Sequence, residues 1–288
     1  NNRLIGAANP TFAAPDQELE TEVFLMGGDR TMRRTMIVLS IAAAFVAVAP
    51  ALAAPWAPPG DLLQAELDSR TLGPVAGQSS IDVTTDYLPD LLDSYWTNTG
   101  AGSVATLIVE VAGYSGGNAF GIYDSTDYTN KLEIFPGPAS GGYTRTVYLG
   151  EGGELWLDTL YDNGSIRTPD ADFGSVWFGY YLDSSAGDHG GIWYSDTSLN
   201  ADGYDHMFAY AGQGDTFDMP WPFPDGKLGP EYHFLCWEDL DGRYKDVDWD
   251  YRDMVVLVES VMVPVPGAVL LGVLGLGAAG MRLRKRQS

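Results

Sequence analysis

The chain has 288 residues, with 16 Lys and Arg against 39 Asp and Glu, for a formal net charge of −23. So acidic a body repels phosphate backbones and anionic membrane surfaces, which excludes nucleic acid as its partner and leaves cations and neutral molecules. Cys236 is the single cysteine, so no intrachain disulfide can form, and the fold must rest on its apolar core or on a metal. Cys236 itself reads as a small buried apolar residue.

Taken in order, residues 1–31 begin without Met and show no sustained periodicity, so they read as a disordered leader or a misplaced start. Residues 32–53 combine a basic Met32-Arg33-Arg34, an apolar run over 36–49 and Ala51-Leu52-Ala53. That is the pattern of a secretory signal helix, with cleavage between Ala53 and Ala54. An N-terminal extension over 54–106 should hold a short helix at 61–68, broken by Gly73-Pro74, and the first strands. Runs rich in Val, Ile, Tyr, Phe and Trp predict strands at 80–85, 104–112, 119–123, 131–135, 143–149, 154–161, 175–182, 191–195, 206–212, 233–238 and 254–263. Gly116-Gly117, Gly141-Gly142, Gly152-Gly153, Asn163-Gly164, Gly190-Gly191 and Asp202-Gly203 fall between them as expected turns. The spacing predicts an all-β fold, an antiparallel β-sandwich or jelly roll, with its main domain over 107–263. From 264 to 288 the chain changes character: Pro264-Val265-Pro266, an uncharged run over 267–281, then Arg282, Arg284, Lys285 and Arg286. The run is shorter than the roughly 20 residues of a comfortable membrane helix, but it can form a hydrophobic helix that leaves its basic end on the cytoplasmic side.

The candidate site is acidic. Asp239, Asp241, Asp246, Asp248, Asp250 and Asp253 fall within 15 residues. Like charges converge in a fold only when something neutralises them, and a hard cation does so. Ca²⁺ takes six to eight oxygens in irregular geometry and suits such a loop better than Mg²⁺. The loop is not an EF-hand, because the sixth and twelfth residues counted from Asp246 are Tyr251 and Leu257 rather than Gly and Glu. In an extended segment Asp246, Asp248 and Asp250 share a face and Asp253 breaks that parity. Glu238, Asp202 and Asp205 are further oxygen donors; a solvated acidic loop without an ion is the competing reading. His189, His206 and His233 show no zinc spacing. Among the eight tryptophans, Trp177 and Trp193 lie in strand runs and read as core, whereas Trp221 and Trp249 are placed for exposure and for stacking on sugar rings. No G-x-S-x-G, H-E-x-x-H or P-loop pattern occurs, and abundant acids alone do not make a glycosidase, so no enzyme is expected.

Two resemblances add to this. The last 25 or so residues, with Pro264 and Pro266, the short apolar run and the Arg-rich end, resemble the PEP-CTERM sorting signal, with Val265 in place of the Glu of its commonest motif. The resemblance implies engagement of the inner membrane and processing by an exosortase-type enzyme. Phe120-Gly121-Ile122-Tyr123-Asp124, Asp205-His206-Met207, Trp237-Glu238-Asp239-Leu240 and Asp248-Trp249-Asp250-Tyr251-Arg252-Asp253 together resemble the DUF4114 domain of exported bacterial proteins, whose function is unknown. Its diagnostic end usually reads Asp-x-Asp-Tyr-Asn-Asp, and Arg252 stands where that Asn, a potential oxygen ligand, is expected. The combined expectation is an exported cell-surface or extracellular-matrix protein, structural or adhesive and possessing a Ca²⁺-stabilised acidic loop. The alternative is a carbohydrate-binding module of the extracellular polysaccharide matrix.

Overall fold

Short β-branched and aromatic runs separated by glycine-containing turns cannot sustain long helices, and the chain forms one strand after another. The computed structural model describes residues 60–99, 102–110 and 116–263. Helix α1 (Asp61–Arg70) leads into β1 (Thr71–Gly73), and a single helical turn, α2 (Asp90–Asp93), precedes β2 (Thr97–Asn98). There follow β3 (Ser103–Glu110), β4 (Ala119–Asp124), β5 (Asp127–Phe135), β6 (Thr144–Leu149), β7 (Glu154–Leu157), β8 (Tyr161–Asp162), β9 (Ser165–Ile166) and β10 (Ala171–Asp172). The remainder is β11 (Phe178–Asp183), β12 (Ile192–Tyr194), β13 (Met207–Ala211), β14 (Asp215–Phe217), β15 (Gly226–Leu228), β16 (Tyr232–Trp237), β17 (Met254–Glu259) and β18 (Val261–Met262).

A seven-stranded sheet runs in the order β10-β7-β6-β3-β17-β16-β13 and a four-stranded one in the order β12-β11-β4-β5. A small sheet, β1-β14-β15, and the pairs β2-β18 and β8-β9 complete the set among the described residues. Each of these strand pairings is antiparallel. Alternation along the strands sorts the side chains. Leu235 and Trp237 of β16 and Met254, Val256 and Val258 of β17 join Phe120 and Ile122 of β4 and Tyr180 and Leu182 of β11 in one apolar cluster. The intervening Phe234, Cys236, Val255 and Leu257 point the other way, into a second cluster with Leu63 and Leu67 of α1, Ile81, Val83, Phe217 and Leu228. Strands β16 and β17 are thus buried on both faces, which is why their sequences read as unbroken apolar runs rather than alternating ones. Each large side chain so buried contributes about 1.5–3 kcal/mol before chain entropy is counted. Cys236 is buried in β16, as expected.

Most predicted strands form, and the differences have local causes. Residues 80–85 make a turn instead of a strand, because side chains take their backbone donors. Ser80 N and Oγ both donate to Asp215 (2.7 Å each), and Val83 N donates to Gln64 Oε1 at 3.0 Å. The helix expected at 61–68 continues to Arg70, whose Nε meets Glu66 at 2.7 Å one turn back. The run 154–161 divides into β7 and β8, and the run 175–182 starts only at Phe178. Gly142, Gly153, Gly164 and Gly203 take the positive φ expected of their turns, whereas Gly116-Gly117 and Gly190-Gly191 do not. The expected boundary at 106/107 falls inside β3, and α1 packs on the seven-stranded sheet, so the extension is integral to the domain. The leader, the signal helix, the Ala53/Ala54 cleavage position and the tail with Pro264, Pro266, Arg282, Arg284, Lys285 and Arg286 lie outside the described residues. Among the described residues no helix is long and apolar enough to cross a membrane.

Candidate metal centre

The adjacent central strands β16 and β17 are joined by residues 238–253, and the acidic loop is this connection. Trp237 pairs with Met254, so Glu238 and Asp253 leave the sheet side by side. The connection does not run extended. Trp249 (φ 55°) and Tyr251 (φ 53°) both adopt the left-handed conformation, which coils the chain. The coil overrides the parity expected from the sequence: Asp248, Asp250 and Asp253 meet, and Asp246 is left out. Tyr251 secures the coil by burying its ring against Phe208 (centroids 4.6 Å apart) and donating its hydroxyl to Asp205 O at 2.8 Å.

One carboxylate oxygen from each of Glu238, Asp239 and Asp253 lies within 4.8 Å of the others, and the same holds for Asp248, Asp250 and Asp253. Asp253 belongs to both groups. Oxygens on opposite sides of one Ca²⁺ are separated by about 4.6–5.2 Å, twice the usual coordination distance. Burial grades across the site: Asp248 is exposed, Asp253 half-buried, Asp250 and Asp239 buried, and Glu238 is 0% exposed. Glu238 Oε1 accepts from Leu240 N at 3.2 Å, but the buried Oε2 has no hydrogen-bond partner. Asn118, just ahead of β4, donates through Nδ2 to Asp239 Oδ2 at 2.9 Å, and its own buried Oδ1 is also unsatisfied. Two unpartnered buried acceptors, one of them on a carboxylate of the cluster, make an arrangement that can hold a positive ligand.

Electrostatics point the same way. Burial, reinforced by Asp253 and Asp248, pushes the Glu238 carboxyl up to about 9. Burial and then Asp239 push Asp253 up to about 8. Asp239 and Asp248 are also raised, chiefly by burial, with neighbouring carboxylates adding to it. Among the described residues, the cation bonded within the cluster is Arg252, whose Nε donates to Asp250 Oδ2 at 2.6 Å. A bound divalent cation would invert this balance and keep all five groups ionised.

The frame behind the cluster is tied by hydrogen bonds and ring stacking. Ser184 Oγ (2.6 Å) and Trp193 Nε1 (2.9 Å) both donate to Asp239 O. His206 lies flat on Trp193 with centroids 3.8 Å apart, its Nδ1 3.0 Å from Glu238 O and its Nε2 2.8 Å from Asp202 Oδ2. Both ring nitrogens are therefore occupied by protein, and His206, with Asp202, positions the 238–239 backbone. Asp205 is buried away from the cluster, with Oδ1 on Met207 N.

Of the six aspartates singled out in the sequence, the structure brings together Asp239, Asp248, Asp250 and Asp253. Asp241 is turned to its own ion pair with Arg243, and Asp246 lies 3.3 Å from the exposed Lys245, so neither belongs to the cluster. Glu238 is central to it. Asn118 was not legible: it stands 120 residues before Glu238, and no local pattern links the two. No family model, curated protein or solved structure matches the chain. The sugar-stacking pair also divides. Trp221 is exposed, whereas Trp249 is half-buried against Tyr204 (5.2 Å) and Tyr251 (6.1 Å), so it is a packing residue of the coil rather than a free plate.

Proposed function

We propose that the protein is an exported, non-catalytic component of the cell surface or extracellular matrix, and that its domain is stabilised by Ca²⁺ bound at Glu238, Asp239, Asp248, Asp250 and Asp253. The observation that carries the metal reading is the buried, unpartnered Glu238 Oε2 beside converging carboxylates, with Arg252 the one arginine bonded among them in the described residues. Ca²⁺ is favoured over Mg²⁺ because the donors are numerous, irregularly placed and graded in burial. The apolar cluster shared by the seven- and four-stranded sheets supports a two-layer β-sandwich. The signal pattern at 32–53 and the PEP-CTERM-like end support export and contact with the inner membrane and an exosortase-type enzyme. The position of the acidic cluster, on the connection between the two central strands, supports a structural or adhesive role.

The test is thermal unfolding of the protein with calcium, with magnesium at equal ionic strength, and with chelator. A ligand that binds only the native state must raise its stability. A calcium-selective rise supports the reading; equal melting under all three conditions refutes it. Export is tested separately, by fractionating cells that express the tagged chain with and without residues 32–53.

A further inference from the structure

A second feature lies on the face of the seven-stranded sheet covered by the small sheet β1-β14-β15. A groove of about 500 Å³ lies there, its apolar lining including Leu228, Tyr232, Leu257 and Phe223, the last in the loop between β14 and β15. Its polar side chains are Thr144 and Thr146 of β6, Asp225, Glu259 and the phenol of Tyr232, and among the described residues no lysine, arginine or histidine lines it. Tyr232 keeps its phenol beside the Glu259 carboxylate. The loop also carries Trp221, 87% exposed between Pro220 and Pro222. Gly142 adopts φ 87°, and a Cβ there would collide with Trp221 O, so the turn before β6 and the Trp221 loop are packed in contact. The proline-flanked loop is therefore held in place, which lowers the ordering cost of binding.

We propose that this groove binds a neutral oligosaccharide. A sugar ring presents an apolar C–H face and an equatorial rim of hydroxyls, which matches aromatic and aliphatic side chains edged by threonine hydroxyls and carboxylates. The lack of a cation among the described lining residues disfavours phosphate, sulfate and uronate groups. A cationic peptide would satisfy the two carboxylates but leave the apolar lining unused, and Glu259 already has the Tyr232 phenol beside it. The inference is independent of the metal centre.

The experiment is affinity electrophoresis of the full chain through gels containing β-1,3-glucan, β-1,4-glucan, α-1,4-glucan or galactomannan, with polygalacturonate as the anionic comparison. Retardation is expected in at least one neutral gel and should persist at raised salt. Phe223→Ala, which removes a lining ring, should weaken it at least about tenfold, and Trp221→Ala, on the same loop just outside the lining, should weaken it as well. Trp221 contributes nothing to the core, so its variant folds, and Tyr161→Ala, an exposed aromatic on the β8-β9 hairpin, should leave retardation unchanged. Migration unaltered by every neutral polysaccharide, retardation by polygalacturonate alone, loss of retardation with salt, or full binding by both the Trp221 and Phe223 variants would overturn the proposal.

Discussion

Replacing Glu238 with Gln should change stability in opposite directions with and without calcium. The Glu238 carboxyl ionises with an ordinary value of 4.5 in the unfolded chain, and burial raises it to about 9 in the fold. A carboxyl raised on folding costs nothing below its unfolded value; the cost grows as pH rises from there and stops growing only above the folded value. At pH 7 the gap from 4.5 is worth on the order of 3 kcal/mol at about 1.4 kcal/mol per pH unit. Gln is nearly isosteric, carries no charge and can still accept from Leu240 N. Metal-free Glu238→Gln should therefore be more stable than the parent at pH 7, by about 6–12 °C in melting temperature for a domain of this size, and indistinguishable from it near pH 4.5. With calcium at about a thousandfold over Kd, the parent should gain about 4 kcal/mol and the variant far less. Scanning calorimetry in chelator and in calcium, at both pH values, reads all four quantities. A metal-free variant less stable than the parent at pH 7, or one that responds to calcium as the parent does, would refute the reasoning.

Calcium binding at pH 7 should expel about one to two protons, because Glu238 and Asp253 are raised to about 9 and 8 in its absence; titration calorimetry in buffers of different ionisation enthalpy measures the number, and none released would contradict the site. The double variant Asp239→Asn, Asp253→Asn should abolish calcium-dependent stabilisation, whereas Asp241→Asn, Asp246→Asn should keep it within about 0.5 kcal/mol; equal losses would point to general charge screening. Arg252→Asn should tighten calcium binding, measured by competition with a chelating dye, because it releases Asp250 from its 2.6 Å bond and adds an oxygen donor. Gly190→Ala should cost about 1–3 kcal/mol and weaken calcium binding, since its Cβ would collide with Ser184 O and Ser184 holds the Asp239 carbonyl; a variant with unchanged melting and affinity would dismiss that coupling.

The β-rich class and the central strands were legible because β-branched and aromatic runs punctuated by glycine pairs carry that information locally. The short strands β1, β14 and β15 were not, since Thr-Leu-Gly, Asp-Thr-Phe and Gly-Lys-Leu lack the β-branched and aromatic run that marks the equally short β12. Residues 80–85 carry a strand-like composition, yet Asp215 and Gln64, distant in sequence, take their donors. At the site, the density of acids marked the right loop, but which acids meet depends on the left-handed Trp249 and Tyr251, and neither residue type announces that conformation. Asp241 and Asp246 looked equivalent to their neighbours because a sequence does not reveal that each turns to a base close by in the chain. Asn118 reaches the site only through the fold. The Gly190-Gly191 pair reads as a hairpin turn, but glycine at 190 serves close packing against Ser184 rather than positive φ, a requirement set by a neighbour that the pair itself does not name.

Burial of β16 and β17 on both faces has a consequence for how the molecule opens. Amides in strands covered on two sides exchange with solvent only when the whole domain unfolds, whereas exposed hairpins exchange by local fluctuation. The β8-β9 hairpin, exposed at Tyr161, Asp162, Ser165 and Ile166, should report only its own fraying. An ion clamped across the β16–β17 connection would then leave a graded imprint in hydrogen–deuterium exchange: deuterium uptake slowed across the two central strands and unchanged at the hairpin tip. The sheet's most protected pair would thus record, amide by amide, whether its terminal loop is occupied.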